Sequence, residues 1–172
     1  MKKIALLFFF YMFCYFIYGQ NQNAIQVLEE FPARGCENLR VLRKVKFEGK
    51  QNTFVILDID ANKYKLTNKF LKFKLDKSPS VKGVVEILNT EETDNYCTDA
   101  LKTDVKILQS LKIESGTISV RKVREEKKME QFNHIPYIVD VVLENAWFKK
   151  DGKKHFIKKI IFKDVLVSYL IG

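Results

Sequence analysis

Apolar and charged residues alternate along much of this chain, and that alternation constrains its fold more than any other feature. The clearest example is FLKFKLDK, in which Leu71, Phe73 and Leu75 alternate with lysines. A period of two places successive side chains on opposite faces of a β-strand, whereas a helix needs a period of about 3.6. The pattern recurs in LRVLRKVKFEG, TFVILDID, VKGVVEIL and the run after Pro136. The sequence therefore predicts antiparallel strands that each bury one face.

Turn residues between the apolar runs predict how neighbouring strands are joined. Gly49 and the three residues after it carry turn chemistry, which predicts a hairpin between the runs on either side. Asp151-Gly152 is a strong signal for a two-residue hairpin turn. Within residues 111–120 the inward positions change from odd to even numbers, which predicts a bulge at Gly116.

Together these runs predict a mainly β fold. We expect a single-domain antiparallel β-sandwich or squat barrel of about seven to nine strands, with one or two short helices. Helices are expected within residues 21–34 and 98–110, where apolar residues recur at helical spacing, although the second segment also fits a strand. Residues 121–131 are charge-mixed and are expected to form an exposed loop or frayed strand ends. The alternative is an α+β fold in which a curved sheet packs on the 98–110 helix.

The chain begins with a segment typical of a signal peptide. Lys2 and Lys3 precede an uncharged apolar run over residues 4–18. As a helix this run spans about 22 Å, whereas a bilayer core is about 30 Å thick. The run is short for an anchor and suits a cleavable leader, with a cut after Gly19. We therefore expect an exported protein, periplasmic or secreted, with residues 20–172 as a single β-rich domain; retention of the leader as an anchor is the alternative.

Export determines how the cysteines are interpreted. Cys14 belongs to the leader and would be lost with it, which leaves Cys36 and Cys97. An even pair in an oxidising compartment is expected to form a disulfide. Closing a loop of about 60 residues would stabilise the fold by roughly 4 kcal/mol in the chain-entropy treatment. The alternative is two separate buried thiols.

The chain is basic, with a formal net charge of +9. Only five of its 30 basic residues are arginines, a lysine-rich usage that is common in AT-rich bacterial genomes. Proteins that read nucleic acids favour arginine, which makes bidentate contacts. We therefore expect no nucleic-acid partner, and the positive charge is suited to anionic surfaces.

The C-terminal hairpin is the candidate ligand-binding site. In a two-residue turn Lys150 opposes Lys153 and Lys149 opposes Lys154, and like charges directly opposite destabilise a strand pair. An anionic ligand, an anionic surface or carboxylates from elsewhere would compensate; alternatively, exposed lysines simply protect a sheet edge. Trp147 falls at an inward register, which is typical of core. The residues assigned to this site are Trp147, Lys149, Lys150, Lys153, Lys154, His155, Lys158 and Lys159.

No catalytic residue, metal ligand or cofactor is predicted. The segment 58–62, DIDAN, resembles the start of a calcium loop, but Lys63 and Lys69 occupy the positions that need Gly and Glu. The acidic residues of the 89–100 loop carry no spacing that fixes two carboxylates across a substrate. The common hydrolase, metalloprotease and nucleotide-binding motifs are missing from the sequence.

The sequence thus favours a non-catalytic binding module that contacts an anionic polymer, glycan or membrane surface. The alternative is a structural or envelope-assembly module whose partners are other proteins. A small carbohydrate-acting hydrolase is the third hypothesis. The sequence does not identify the ligand, the biological process or the oligomeric state.

Overall fold

The chain forms one antiparallel sheet that curls into a nearly closed barrel. The computed structural model describes residues 24–90, 105–127 and 135–167. Within these ranges lie nine strands: β1 (Ile25–Val27), β2 (Arg34–Cys36), β3 (Arg40–Phe47), β4 (Lys50–Ile59), β5 (Leu71–Lys74), β6 (Val81–Leu88), β7 (Ile107–Glu125), β8 (Tyr137–Lys150) and β9 (Lys153–Val167). The spatial order is β1-β3-β4-β6-β7-β8-β9, with β2 paired to β3 and β5 to β7. Every pairing is antiparallel, which confirms the predicted mainly β fold and its squat barrel form.

The two ends of the sheet meet where β1 and β2 approach β9. The Ala24 amide donates a hydrogen bond to the Phe156 carbonyl at 2.8 Å. Further along the same seam Gly35 packs against the backbone of Leu166, and a Cβ on Gly35 would lie 2.3 Å from the Leu166 carbonyl oxygen. Only glycine permits that approach, so Gly35 brings the ends of the sheet together.

Both predicted hairpins are present, each with a two-residue turn. Glu48 and Gly49 join β3 to β4 with φ of 49° and 81°. Asp151 and Gly152 join β8 to β9 with φ of 50° and 76°. Positive φ at both central positions matches the right-handed twist of the flanking strands.

The longest strand, β7, bends at Gly116 and passes from one part of the barrel to the other. Its first half pairs with β6 as far as Lys112, and its second half pairs with β5 from Thr117 onwards. The register against β8 shifts between Ile113 and Thr117, and Gly116 has a φ of 146°. This confirms the predicted glycine bulge. Because β6 and β5 leave β7 on either side of the bend, a gap opens between them.

A bulge of β8 against β7, opposite Gly116, changes which residues of β8 face the interior. The pairing of β8 with β9 stays in register there. Leu143 faces inward, and the next inward residues are Ala146 and Phe148, all three fully buried in the main core. Asn145 is in the left-handed region at φ 51° and provides the extra residue. Trp147 is therefore half-buried on the outer face. The predicted inward register of Trp147 is wrong, because this bulge carries no glycine to mark it.

The helix predictions fail where the structure describes them. Residues 25–27 and 34–36 are strands, because their backbone groups pair with the edge of β3. Residues 107–110 belong to β7, where pairing with β6 overrides the helical spacing of the apolar side chains, and residues 98–104 lie outside the described ranges. The described helical segments are the 3-10 turns Glu37–Leu39 and Ala61–Lys63, so the α+β alternative finds no support there. None of the described helical segments is long and apolar enough to cross a bilayer.

The charge-mixed segment after Val120 is also more regular than predicted. Residues 121–125 continue β7 and pair with Tyr137–Asp140 of β8. Arg121 explains part of this order, since its guanidinium contacts the Asp140 carboxylate at 2.7 Å and lies 4.7 Å from the Phe70 ring centroid. Of the two predicted alternatives, residues 121–125 therefore form the end of a strand and not a loop, and residues 128–131 lie outside the described ranges.

Candidate ligand-binding site

The C-terminal hairpin has the predicted register. Lys150 opposes Lys153 and Lys149 opposes Lys154 across β8 and β9. The like charges are offset by carboxylates of the protein itself. Lys149 Nζ lies 2.9 Å from Glu114 Oε1 on β7, and Lys150 Nζ lies 2.7 Å from Glu48 Oε2 in the β3–β4 turn.

Lys150 is the most firmly held of these cations. Hydrogen bonds to Glu48 and, second, to Asp151 raise the pKa of Lys150 above its usual value. Lys159, further along β9, likewise lies 3.0 Å from Glu144. Of the three compensating sources expected from the sequence, carboxylates from elsewhere are the one that the structure shows. Lys149, Lys150 and Lys159 therefore need no external anion.

The remaining residues of the predicted site do not converge on one cavity. Trp147 packs on Phe156 with ring centroids 4.7 Å apart, whereas His155 stacks on Phe148 at 5.2 Å. Lys153, Lys154 and Lys158 are exposed. A groove of about 320 Å³ adjoins the hairpin, and Lys150 is the one predicted site residue among its lining residues.

A larger groove of about 580 Å³ occupies the gap where β6 and β5 diverge from β7, and we name it the lysine groove. Its floor includes Val81 and Ile113, each 2% exposed and part of the main core. Three lysines and one carboxylate stand at its rim. The lining residues are Leu75, Asp76, Lys77, Ser78, Pro79, Val81, Lys82, Gly83, Val84, Lys112 and Ile113.

The sheet register places the rim lysines. Lys112 of β7 is the cross-strand partner of Val84 in β6, and Lys82 lies two residues before Val84 on the same face. Lys77 comes from the opposite side, in the β5–β6 connection, where its amide donates to the Lys74 carbonyl at 3.1 Å. Three segments that are distant in sequence thus bring one lysine each to the same opening.

The rim lysines differ from the hairpin lysines in their electrostatic partners. Within the described ranges, no ion pair joins Lys77, Lys82 or Lys112 to another residue. Asp58, which lies opposite Lys82 in β4, is bound instead by Arg40 at 2.6 Å. With Asp76 as the one carboxylate, the lining carries a formal net charge of +2 from three lysines and one aspartate.

Another carboxylate on β6, Glu86, is equally unsuited to neutralise the groove. Burial raises the pKa of Glu86, and the hydroxyl of Ser110 donates to its carboxylate at 3.4 Å and acts in the opposite direction. Glu86 does not line the groove, so Asp76 is the one carboxylate of the lining.

Gly83 fits the floor of the groove to the core beneath it. A Cβ at residue 83 would lie 3.0 Å from Ile113 Cδ1 and 3.2 Å from Leu57 Cδ2. These contacts are tighter than ordinary packing, so a side chain here would push the core apart. Gly83 was not singled out by sequence reasoning, and neither were the three rim lysines. The signals that mark them are Ser78-Pro79-Ser80, Gly83 and Gly116, which border the gap.

The sequence-predicted acidic features hold no metal site in the part of the chain that the structure describes. Asp58 pairs with Arg40, and Asp60 lies 3.2 Å from Lys63, so the DIDAN carboxylates lead into a turn as expected. No group of three His, Cys, Asp or Glu residues is arranged to hold an ion among the described residues. The acidic residues from Glu91 to Asp99 lie outside those residues.

Cys36 lies in a second apolar cluster, on the outer face of the sheet. It is 7% exposed and packs with Leu42, Phe54, Ile56 and Leu88. Val105 packs against the same cluster, so residues on both sides of the 91–104 segment contact the cluster that contains Cys36. The Asn89 amide donates to the Lys106 carbonyl at 3.0 Å and closes the base of that segment. Cys97 itself lies outside the described ranges.

Comparison with known proteins gives no match. No protein-family model matches the chain, and no curated protein or solved structure is significantly similar to it.

Proposed function

We propose that the chain is an exported, non-catalytic binding module that takes an anionic ligand in the lysine groove. The observation that carries this proposal is the convergence of Lys77, Lys82 and Lys112 on one opening, where no ion pair joins them to another described residue. A concave site of one charge sign concentrates ligands of the opposite sign. The groove volume of about 580 Å³ lies within the range of small-molecule sites.

This proposal moves the ligand away from the hairpin. There the protein's own carboxylates hold Lys149, Lys150 and Lys159. Lys153 and Lys154 are exposed, and neither lines the two grooves described above. The groove by contrast combines unpaired charge with a buried apolar floor, which is the composition of a ligand site.

Export is the second part of the proposal. A leader cut after Gly19 would deliver the chain to an oxidising compartment, where Cys36 and Cys97 form a disulfide. The second apolar cluster supports this pairing, because it contains Cys36 and is contacted by Leu88 and Val105 on either side of the segment that carries Cys97. Cys97 lies nine residues after Leu88, so chain length does not limit its reach.

The test of export and of the disulfide is chemical. The protein is produced with its leader in a bacterium and collected from the exported fraction. We expect a mature N-terminus at Gln20 and, on non-reducing peptide mapping, one linked peptide pair that contains Cys36 and Cys97. An intact chain that starts at Met1 with free thiols would overturn this part.

The test of the ligand is native mass spectrometry of the same preparation. We expect a retained small anion on the wild-type protein and its loss from the triple variant Lys77→Gln, Lys82→Gln, Lys112→Gln. The matched control is Lys153→Gln, Lys154→Gln, Lys158→Gln, which removes the same formal charge from the hairpin and should keep the ligand. A retained polypeptide in place of a small molecule would favour the protein-interaction module, and equal loss from both triples would refute the assignment to the groove.

A further inference from the structure

We infer that the ligand of the lysine groove is an amphiphile: a single carboxylate or phosphate head group on an apolar chain. The inference rests on the proposed function and specifies the chemistry of its ligand. Its basis is that the groove is apolar and cationic in different places, with the apolar residues at its floor and walls and the lysines at its rim.

The floor of the groove is the interior of the barrel itself. Val81, Gly83 and Ile113 are buried, and Val81 and Ile113 belong to the main core cluster. Leu75 and Val84 form half-buried walls, and Leu75 packs against the same cluster. A purely polar anion would leave the exposed parts of the Leu75 and Val84 walls in contact with water, whereas an alkyl chain would bury them.

The opening lies where β7 passes from β6 to β5. β6 pairs with β7 only as far as Lys112, and β5 begins its pairing at Thr117. The Leu75 amide also donates to the Gly116 carbonyl at 3.0 Å, so the opening lies over residues 113–115. An alkyl chain can lie in this opening against the half-buried Leu75 and Val84 while its head group stays at the rim.

The rim defines the head group. Lys77, Lys82 and Lys112 are exposed, so their ammonium groups stay hydrated and can each donate hydrogen bonds to an anion. Asp76 shares the rim, and the formal net charge of +2 matches one carboxylate or one phosphate better than a highly charged polymer. Lysine also suits this role because it acts as a point charge and does not require a planar bidentate partner.

Isothermal titration calorimetry on the mature protein with octyl phosphate, octanoate, methyl phosphate and octanol tests the inference. We expect octyl phosphate to bind about 200-fold more tightly than methyl phosphate, because burying about four methylenes at about 0.8 kcal/mol each gives that factor. Comparison of octyl phosphate with octanoate distinguishes a phosphate head from a carboxylate head. Octanol should bind at least about 10-fold more weakly than the better of the two.

Two variants separate the two halves of the ligand. Lys82→Gln should weaken octyl phosphate about 10-fold and leave octanol unchanged, since it removes an ammonium donor from the rim. Leu75→Gln should weaken octyl phosphate about 10-fold and leave methyl phosphate unchanged, since it makes one wall polar. Both side chains are at least partly exposed, and circular dichroism with thermal melting checks that the variants fold. Lys154→Gln in the hairpin is the matched control and should change neither affinity.

The outcomes distinguish the amphiphile inference from the proposed anion-binding function on which it rests. If methyl phosphate binds as tightly as octyl phosphate, the amphiphile is refuted and an anion site in the groove survives. If octanol equals octyl phosphate and Lys82→Gln has no effect, the anion site is refuted. If none of the four probes binds to the wild-type protein, both fail.

Discussion

Two lysine clusters on this barrel differ in what the protein places beside them. In the C-terminal hairpin, Lys149 and Lys150 are held by Glu114 and Glu48, which come from other strands and turns. In the lysine groove, no ion pair joins Lys77, Lys82 or Lys112 to another described residue, and an apolar floor lies below them. The charge of a lysine that forms an ion pair with a carboxylate of the protein is largely offset by that carboxylate. The charge of a lysine that forms no ion pair is available to bind an anionic ligand. The C-terminal hairpin, where the lysines are closest together in sequence, is therefore less suited to binding an anion than the lysine groove.

The largest expected effect comes from the bend that creates the groove. A Cβ at residue 116 would lie 2.8 Å from Ala146 Cβ, and the φ of 146° disfavours any side chain. Gly116→Ala should therefore destabilise the protein by about 2–4 kcal/mol, from overpacking and backbone strain together. Urea unfolding followed by circular dichroism measures the change.

The hairpin provides the matched control for that substitution. Gly152 also has a positive φ, 76°, but nothing lies within 4 Å of a Cβ built there. Gly152→Ala should cost only about 1 kcal/mol, because it suffers the backbone strain without the clash. Equal losses for the two variants would show that Gly116 is not needed for close packing at the bend.

The next largest effect is expected when a carboxylate is introduced beside the groove lysines, because the hairpin lysines already have carboxylate partners. Val84 lies directly opposite Lys112 and two residues from Lys82, and it is half-exposed. Val84→Glu should place a carboxylate beside both lysines and weaken octyl phosphate binding by at least about 10-fold relative to Val84→Gln. Val84→Gln is the control because it makes the same wall polar and loses the same contact with the Leu42, Phe54 and Ile56 cluster but adds no charge. Equal affinities in Val84→Glu and Val84→Gln would break the link between unpaired lysines and binding.

Local signals allowed the hairpins and the β7 bulge to be predicted from the sequence. Asp151-Gly152 adopts its turn through backbone preferences that neighbouring residues do not alter, and Gly116 interrupts an alternation that spans only a few residues. Asn145 adds a residue to β8 opposite Gly116, and no glycine in β8 marks it, so the predicted register of Trp147 is wrong. Propensity gave no warning there, because Asn is only one of several residues that tolerate the left-handed region.

The lysine groove could not be predicted from the sequence, for a different reason. Its lysines come from the β5–β6 connection, from β6 and from β7, and they meet only because β5 and β6 both pair with β7 on either side of a bend. Pairing order is a property of the whole sheet, and alternation within a strand does not encode it. The partners of the hairpin lysines were equally hidden, since Glu48 lies 102 residues before Lys150.

The smallest expected effect tests whether the hairpin lysines really are held by the protein. Glu48→Gln removes the largest cause of the raised pKa of Lys150, so the pKa of Lys150 should fall toward its ordinary value. A cation whose pKa is raised on folding stabilises the folded state below its unfolded pKa, and that contribution is lost as pH rises through the folded pKa. The wild-type protein should therefore be the more stable at neutral pH, and its advantage over Glu48→Gln should disappear only at alkaline pH, above the usual lysine pKa of about 10.4.

Asp76→Asn at the groove rim is the contrasting variant and should leave stability unchanged. The pKa is measured by NMR titration of the Lys150 side chain and the stability by urea unfolding at low salt, because about 1 M salt screens an exposed pair. A Lys150 pKa that does not move in Glu48→Gln would show that the two lysine clusters do not differ in the way described here.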